Sequence, residues 1–275
     1  MNMETIRNYI LEFLENDAAN RVPEELAKKP EYAGRRIYDG MLIGAADAGD
    51  GILASLSANK EANIDMMQPE EWLPGARTVL SFFLSFAAWI KEENIVGDWP
   101  SDGWLHGRIE GQAAVNKVTL ALADLIRGEG YEAVAPSLDQ RFRVISDENG
   151  TGVAGEIYTS NWSERHVAFA AGLGTFGLSR GIITELGMAG RLTSIITTFY
   201  SEPGPRPYSD LLDNCIKCGG CAERCPVGAI TVPNFKDHLL CDLYLKAIRK
   251  KEDPYYGCGK CQCGVPCSSG IPEKD

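Results

Sequence analysis

"CIKCGGCAERCPVGAI" (215–230) sets cysteines at the spacing C-x2-C-x2-C-x3-C-P. This is the run found in bacterial ferredoxins. Three thiolates at that spacing wrap one corner of an iron–sulfur cubane. The fourth, turned away by the longer spacer and followed by Pro226, serves a different cluster. Structural zinc sites show two separated C-x2-C pairs instead. The run therefore predicts [4Fe–4S] ligation by Cys215, Cys218 and Cys221, with Cys225 directed elsewhere.

Nine cysteines occur in the chain, all between 215 and 267. An odd number, with no export signal, argues against a disulfide framework. Confinement to one segment points to a cofactor-binding module. Cys241, Cys258 and Cys261 supply the three further thiolates that Cys225 needs. The first three cysteines need a fourth ligand, and "CGKCQCGVPC" (258–267) offers Cys263 or Cys267. The expectation is two [4Fe–4S] clusters and one surplus thiol. Two neighbouring clusters conduct electrons. A simple carrier has no use for some 213 residues ahead of its clusters, so the larger domain is expected to hold the group that receives the electrons.

The 275 residues carry a net charge of −11, and the imbalance lies in the acidic first 213 residues. An acidic body disfavours broad phosphate-backbone binding. No run of about 18 apolar residues exists, so neither a membrane span nor a membrane partner is expected. "MNMETIRNYILEFLEND" has acids among its apolar residues and no small-residue cleavage site, so it is read as an amphipathic helix of a cytoplasmic protein.

Along the chain, residues 4–16 and 109–131 show helical periodicity, and 163–172 a short helix begun by Ser163. "MLIGAADAG" (41–49), "ARTVLSFFLSF" (76–86) and "GMAGRLTSIITTFY" (187–200) read as strands, with shorter ones at 131–136 and 141–146. Helices and strands mix without βαβ alternation, which predicts an α+β class. Pro-rich "SEPGPRP" (201–207) marks a boundary between a domain over 1–200 and a ferredoxin-type domain over 201–275.

"GLGTFG" (172–177) fits G-x-G-x-x-G, yet a helical pattern precedes it and strand-like "GIIT" follows. That inverts the dinucleotide-binding context. Three glycines in six residues still imply a backbone pressed against something flat or bulky, or a tight turn packed on its own domain.

"AAGLGTFGLSRGIITELGMAGRLTSIIT" (170–197), the cysteine run, "CDLYL" (241–245) and "YGCGKC" (256–261) follow in that order. Together they resemble iron–sulfur and corrinoid proteins of the epoxyqueuosine reductase type, which are related to reductive dehalogenases. "WLPGARTVLSFFLSF" (72–86) is similar to their first core strand. The resemblance implies a nitroreductase-like α+β domain followed by a ferredoxin-type domain with two [4Fe–4S] clusters. It implies a base-off cobalamin between them, beside Gly172, Gly174, Thr175, Phe176 and Gly177. Electrons from a ferredoxin or flavodoxin-type donor would reach cobalt and reduce a small-molecule or nucleoside substrate. By the same pattern Cys267 completes the first cluster and Cys263 is spare.

Epoxyqueuosine reductases place an Asp proton donor some 14 residues before the glycine loop. Here that count reaches Tyr158, the residue type that reductive dehalogenases use, with Glu156 and His166 as lesser candidates. Those reductases also continue past the clusters into a tRNA-holding repeat, whereas this sequence stops at Asp275. With the acidic body, that makes tRNA an unlikely partner on sequence grounds. The alternatives are an FMN in the α+β domain, or a non-catalytic electron-transfer partner. His106 is expected to be structural.

Overall fold

In the computed structural model the described residues are 1–58, 66–146, 158–232 and 234–274. The body begins with α1 (Met3–Asn16), capped by the Asn2 side chain on the Thr5 amide. Ile6, Ile10, Phe13 and Leu14 form its buried stripe. β1 (Tyr38–Asp47) leads into α2 (Gly51–Ala58), then α3 (Pro69–Trp72), β2 (Thr78–Phe86) and α4 (Ala88–Glu93). The long α5 (Asp102–Gly128) follows, then β3 (Ala133–Val134), β4 (Val144–Ser146), β5 (Tyr158–Ser160) and α6 (Glu164–Ala170). β6 (Gly174–Phe176), β7 (Ile182–Thr184) and β8 (Gly190–Thr197) complete the body.

The central sheet has the order β1-β2-β8-β3, with every pair antiparallel. All nine residues of β2 are buried, so this central strand is covered on both faces. That explains its unbroken apolar run, which in antiparallel sheets usually gives way to alternation. The two faces still obey the period of two. Leu80, Phe82, Leu84 and Phe86 pack against α1 and α5, with Val115, Val118, Leu122 and Ile126 opposite. Val79 meets Trp162, Val167 and Ala170 around α6, and Phe83 meets Ala168 and Phe169. Each such apolar side chain contributes roughly 1.5–3 kcal/mol on burial.

Helix α5 begins seven residues before the expected 109. Its N-cap is Ser101, whose hydroxyl accepts from the Trp104 amide. The early turns carry Gly103 and Gly107, poor helix formers that masked the start in the sequence. Both are needed, because a Cβ at Gly107 would lie 2.8 Å from the Phe86 ring and one at Gly103 2.6 Å from Trp89.

Residues 201–207 have no regular structure and run beside β1, where the Gly204 amide donates to the Ala45 carbonyl. Beyond them come α7 (Gly220–Glu223), the hairpin of β9 (Ile230–Thr231) and β10 (Phe235–Lys236), and α8 (His238–Glu252). Among the described residues no helix is long and apolar enough to cross a membrane.

Candidate functional site: a cysteine module docked on the glycine hairpin

The thiols lie in two adjoining sets, which feel each other through Cys221 and Cys261. Cys215, Cys218, Cys221 and Cys267 line one narrow cavity with Gly177, Ile183, Met188 and Val265. Cys267 is pushed up to about 12 by burial and then by Cys221, Cys215 and Cys218 beside it. Cys258 is likewise pushed up to about 12, by burial and by Cys261, Cys241 and Cys225. Like groups crowded into low dielectric disfavour one another's charge. Such sets suit a cationic core, since iron or another metal reverses that preference and holds the thiolate form.

The loops are shaped for it. Lys217 (φ 53°) and Gly219 (φ 80°) flank Cys218 in the left-handed region, so the chain curls around one point between Cys215 and Cys221. The Ala229 amide donates to Cys225 Sγ at 3.2 Å. Among the described residues no three His, Cys, Asp or Glu side chains are placed to close on a single ion.

Cys263 stands apart. It is fully buried within the body's core, with Ile90 and Trp104 in the same cluster. The Asn94 amide reaches its Sγ at 3.7 Å and donates to the Cys258 carbonyl at 3.0 Å. Two cations sew the same seam. Buried Lys260 donates to the carbonyls of Asn94 and Val96, and Arg224 to those of Ile95 and Lys260. Sequence reasoning missed Asn94, Lys260 and Arg224, because the segment they clasp only becomes a neighbour in the folded chain.

The glycine loop is a hairpin of β6 and β7, not an open turn. At Gly172 and Gly174 the close approaches are made by the chain itself, as for a tight turn packed on its own domain. A Cβ at Gly174 would lie 2.1 Å from the Ile183 carbonyl, and one at Gly172 (φ +82°) 2.4 Å from that of Pro205. Thr175 Oγ1 accepts from the Asn214 amide, and the Phe176 amide donates to Leu211. These contacts seat the segment that leads into Cys215. Gly177 forms part of the wall of the first thiol set.

An open cavity of about 520 Å³ is lined by Asp50, Ile52, Phe169, Arg206, Tyr208 and Leu211 among others. Arg206 pairs with Asp50 at 2.9 Å, and Tyr208 Oη donates to the Phe169 carbonyl at 2.6 Å.

Of the expected proton donors, Glu156 lies outside the described residues. Tyr158 is placed by its backbone at the start of β5, opposite Ser146. His166 Nδ1 lies 2.7 Å from Ser163 Oγ and its ring 4.9 Å from Phe176, and burial lowers its pKa to about 4. His106 is buried, with Nδ1 on Glu110 and Nε2 accepting from the Lys28 amide, a structural arrangement. Glu164 is the acid that sequence reasoning overlooked. Both carboxyl oxygens are buried, with the Ser194 and Ser137 hydroxyls near enough to favour the charge. Burial pushes it up to about 7, against smaller opposing effects of Ser194 and Ser137.

A 4Fe-4S binding domain model matches residues 211–231. The fold is shared with a solved epoxyqueuosine reductase in complex with a tRNA-Tyr epoxyqueuosine-modified stem loop: TM-score 0.55, 18% identity, covering 99% of this chain and 68% of that one. It is shared also with the catabolic reductive dehalogenase NpRdhA bound to 3-bromo-4-hydroxybenzoic acid: TM-score 0.51, 17% identity, 97% of this chain and 36% of that one. In sequence, the epoxyqueuosine reductase of Bacillus cereus is 25% identical over 215 residues, 74% of this chain and 51% of that protein. The methylamine utilization ferredoxin-type protein MauM of Paracoccus denitrificans is 30% identical over 73 residues, 26% of this chain and 32% of that protein.

The class is thus an iron–sulfur protein in which a mixed helix-and-sheet body carries a ferredoxin-type motif. More particularly, the chain is similar in sequence to epoxyqueuosine reductases and shares its fold with a solved epoxyqueuosine reductase and a solved reductive dehalogenase. It spans about half the length of the Bacillus cereus protein. A tRNA stem loop is bound in the first of these solved neighbours, so the acidic charge of a body with this fold does not by itself exclude tRNA.

Proposed function

We propose that this chain is an oxidoreductase that passes electrons through two [4Fe–4S] clusters to a catalytic group held by its α+β body. The observation that carries the reading is one cavity lined by Cys215, Cys218, Cys221 and Cys267, with Cys225, Cys241 and Cys261 grouped around Cys258 nearby. Cys215, Cys218, Cys221 and Cys267 would hold the first cluster, and Cys225, Cys241, Cys258 and Cys261 the second. When bound, the clusters supply one-electron transfer at potentials set by their surroundings. The chain's own part is to bury them, to place the first against Gly177 and Met188, and to keep Cys263 out of both. Residues 201–275 would form the ferredoxin-type unit and 1–200 a nitroreductase-like one.

The resemblance makes cobalamin the electron acceptor, with FMN as the alternative. The described residues do not by themselves form a corrinoid cradle. The glycine approaches are filled by the protein's own carbonyls, and a 520 Å³ cavity is smaller than a corrin with its side chains and tail. That volume lies within the ordinary range for a small-molecule site. No step is therefore assigned to a corrin. A ferredoxin or flavodoxin-type donor and a small-molecule or nucleoside substrate complete the reading, with Tyr158 or Glu156 as proton donor.

The test is anaerobic preparation with iron and sulfide analysis and an absorption spectrum. About eight irons per chain are expected for two cubanes. About four would refute the two-cluster reading. Corrinoid bands, flavin bands or the iron–sulfur shoulder alone would separate cobalamin, FMN and a pure carrier.

A further inference from the structure

A second feature lies on the α5 face of the sheet, at the seam with the module. Arg191 opens β8 beside Gly190 and is held from below by Gln112 of α5. Its Nε donates to Gln112 Oε1 at 2.8 Å, and its Nη2 bonds the same oxygen. Arg108 lies one helical turn before Gln112. Its guanidinium carbon sits 4.7 Å over the Tyr256 ring, and its side chain is pressed against Gly257, where a Cβ would come within 2.7 Å.

Burial, and then the Arg108 guanidinium nearby, lowers the pKa of Arg191 to about 9. Among the described residues no carboxylate forms an ion pair with either. Both side chains are half-buried. Three polar groups are therefore fixed with unused capacity. Arg108 Nε is buried without an acceptor, and so is the hydroxyl of Tyr38, which lies against α5 beside Gln112, where a Cβ at Gly111 would come within 2.8 Å of it. Arg191 has only a neutral amide as partner. Buried polar groups and like charges are rarely left in that state, because desolvation is then uncompensated.

We propose that Arg108, Arg191 and the Tyr38 hydroxyl form an oxyanion site, and that its ligand is a phosphoryl group. Guanidiniums bind phosphate and carboxylate alike through paired N–H bonds. Here the donors come from three elements, β1, α5 and β8, which suits a group presenting three oxygens. Two uncompensated cations match a phosphate monoester, which carries close to two negative charges at neutral pH. A carboxylate would leave one guanidinium unpaired. The site adjoins Tyr256 and Gly257, immediately before Cys258, so a ligand there would touch both the body and the module. The inference does not depend on which group the body reduces, nor on the clusters being electron carriers.

The probe is inorganic phosphate, titrated into anaerobic, cluster-loaded protein at constant ionic strength. Thermal stabilisation and calorimetric heat are the readouts. Saturable stabilisation by phosphate is expected, with acetate at least 10-fold weaker. Arg191→Gln and Tyr38→Phe should each weaken phosphate at least 10-fold and 3-fold respectively, at unchanged iron content. Lys250→Gln removes an exposed charge on α8 and should leave the affinity as it was. Absence of saturable stabilisation, or equal loss in Lys250→Gln, would overturn the site, and equal binding of acetate would overturn its phosphoryl character. If Arg191→Gln loses its iron, Tyr38→Phe decides, since it keeps every charge.

Discussion

The body and the cysteine module are built by different forces. The body has two apolar layers on a four-stranded sheet, and its central strand is buried along its whole length. Among its described residues the module has few buried apolar side chains, Ala229, Ile230, Ile248 and Val265 among them. Its strands are two residues long. Segments that short cannot offset their own ordering entropy, so something other than a core must hold them. The comparison teaches that spacing rules dominate where ligands organise the chain, and periodicity rules where burial does.

Iron removal gives the largest contrast. Chelation under anaerobic denaturant-free conditions should make residues 201–275 protease-sensitive while the body resists cleavage. Equal resistance of both regions would erase the distinction. A core truncation gives the opposite pattern. Leu80→Ala, in a fully buried site of β2, should cost about 2–5 kcal/mol in global stability and leave bound iron unchanged in the surviving folded protein.

Gly174→Val acts on both regions at once. Its side chain would meet the Ile183 carbonyl, and the same hairpin seats Asn214 ahead of Cys215. Both thermal stability and iron content should fall; unchanged iron would show that hairpin and module are independent. Cys267→Ser should lose roughly half of about eight irons. Cys263→Ser should keep them all and lower stability by only about 1 kcal/mol, the usual scale for a modest core change.

Glu164 offers the smallest and most specific effect. Its folded pKa, about 7, exceeds the ordinary 4.5, so the folded state favours the proton. That contribution to stability is complete below pH 4.5 and is lost as pH rises to 7. Glu164→Gln should therefore stabilise the protein on the order of 1–3 kcal/mol at pH 8 and make no difference near pH 4. A pH-independent effect, measured by chemical denaturation, would show that the buried carboxyl does not hold a proton.

Much of this protein was legible in one dimension. The C-x2-C-x2-C-x3-C-P run announces iron–sulfur ligation, because ligand spacing along a loop is a local property. The stripe of α1 and the apolar run of β2 are local too, since helix and strand periods act over a few residues. What the tertiary structure alone decided is which partners meet across the chain. It put Cys263 into the body's core and Cys267 beside Cys215, although both lie in one ten-residue stretch. It closed the glycine loop into a hairpin against Ile183 and Pro205, where the pattern G-x-G-x-x-G left open what would press on it. It brought Arg108 and Arg191 together from α5 and β8 without a carboxylate between them. Such encounters depend on how separate segments pack against one another, and no local period or spacing encodes them.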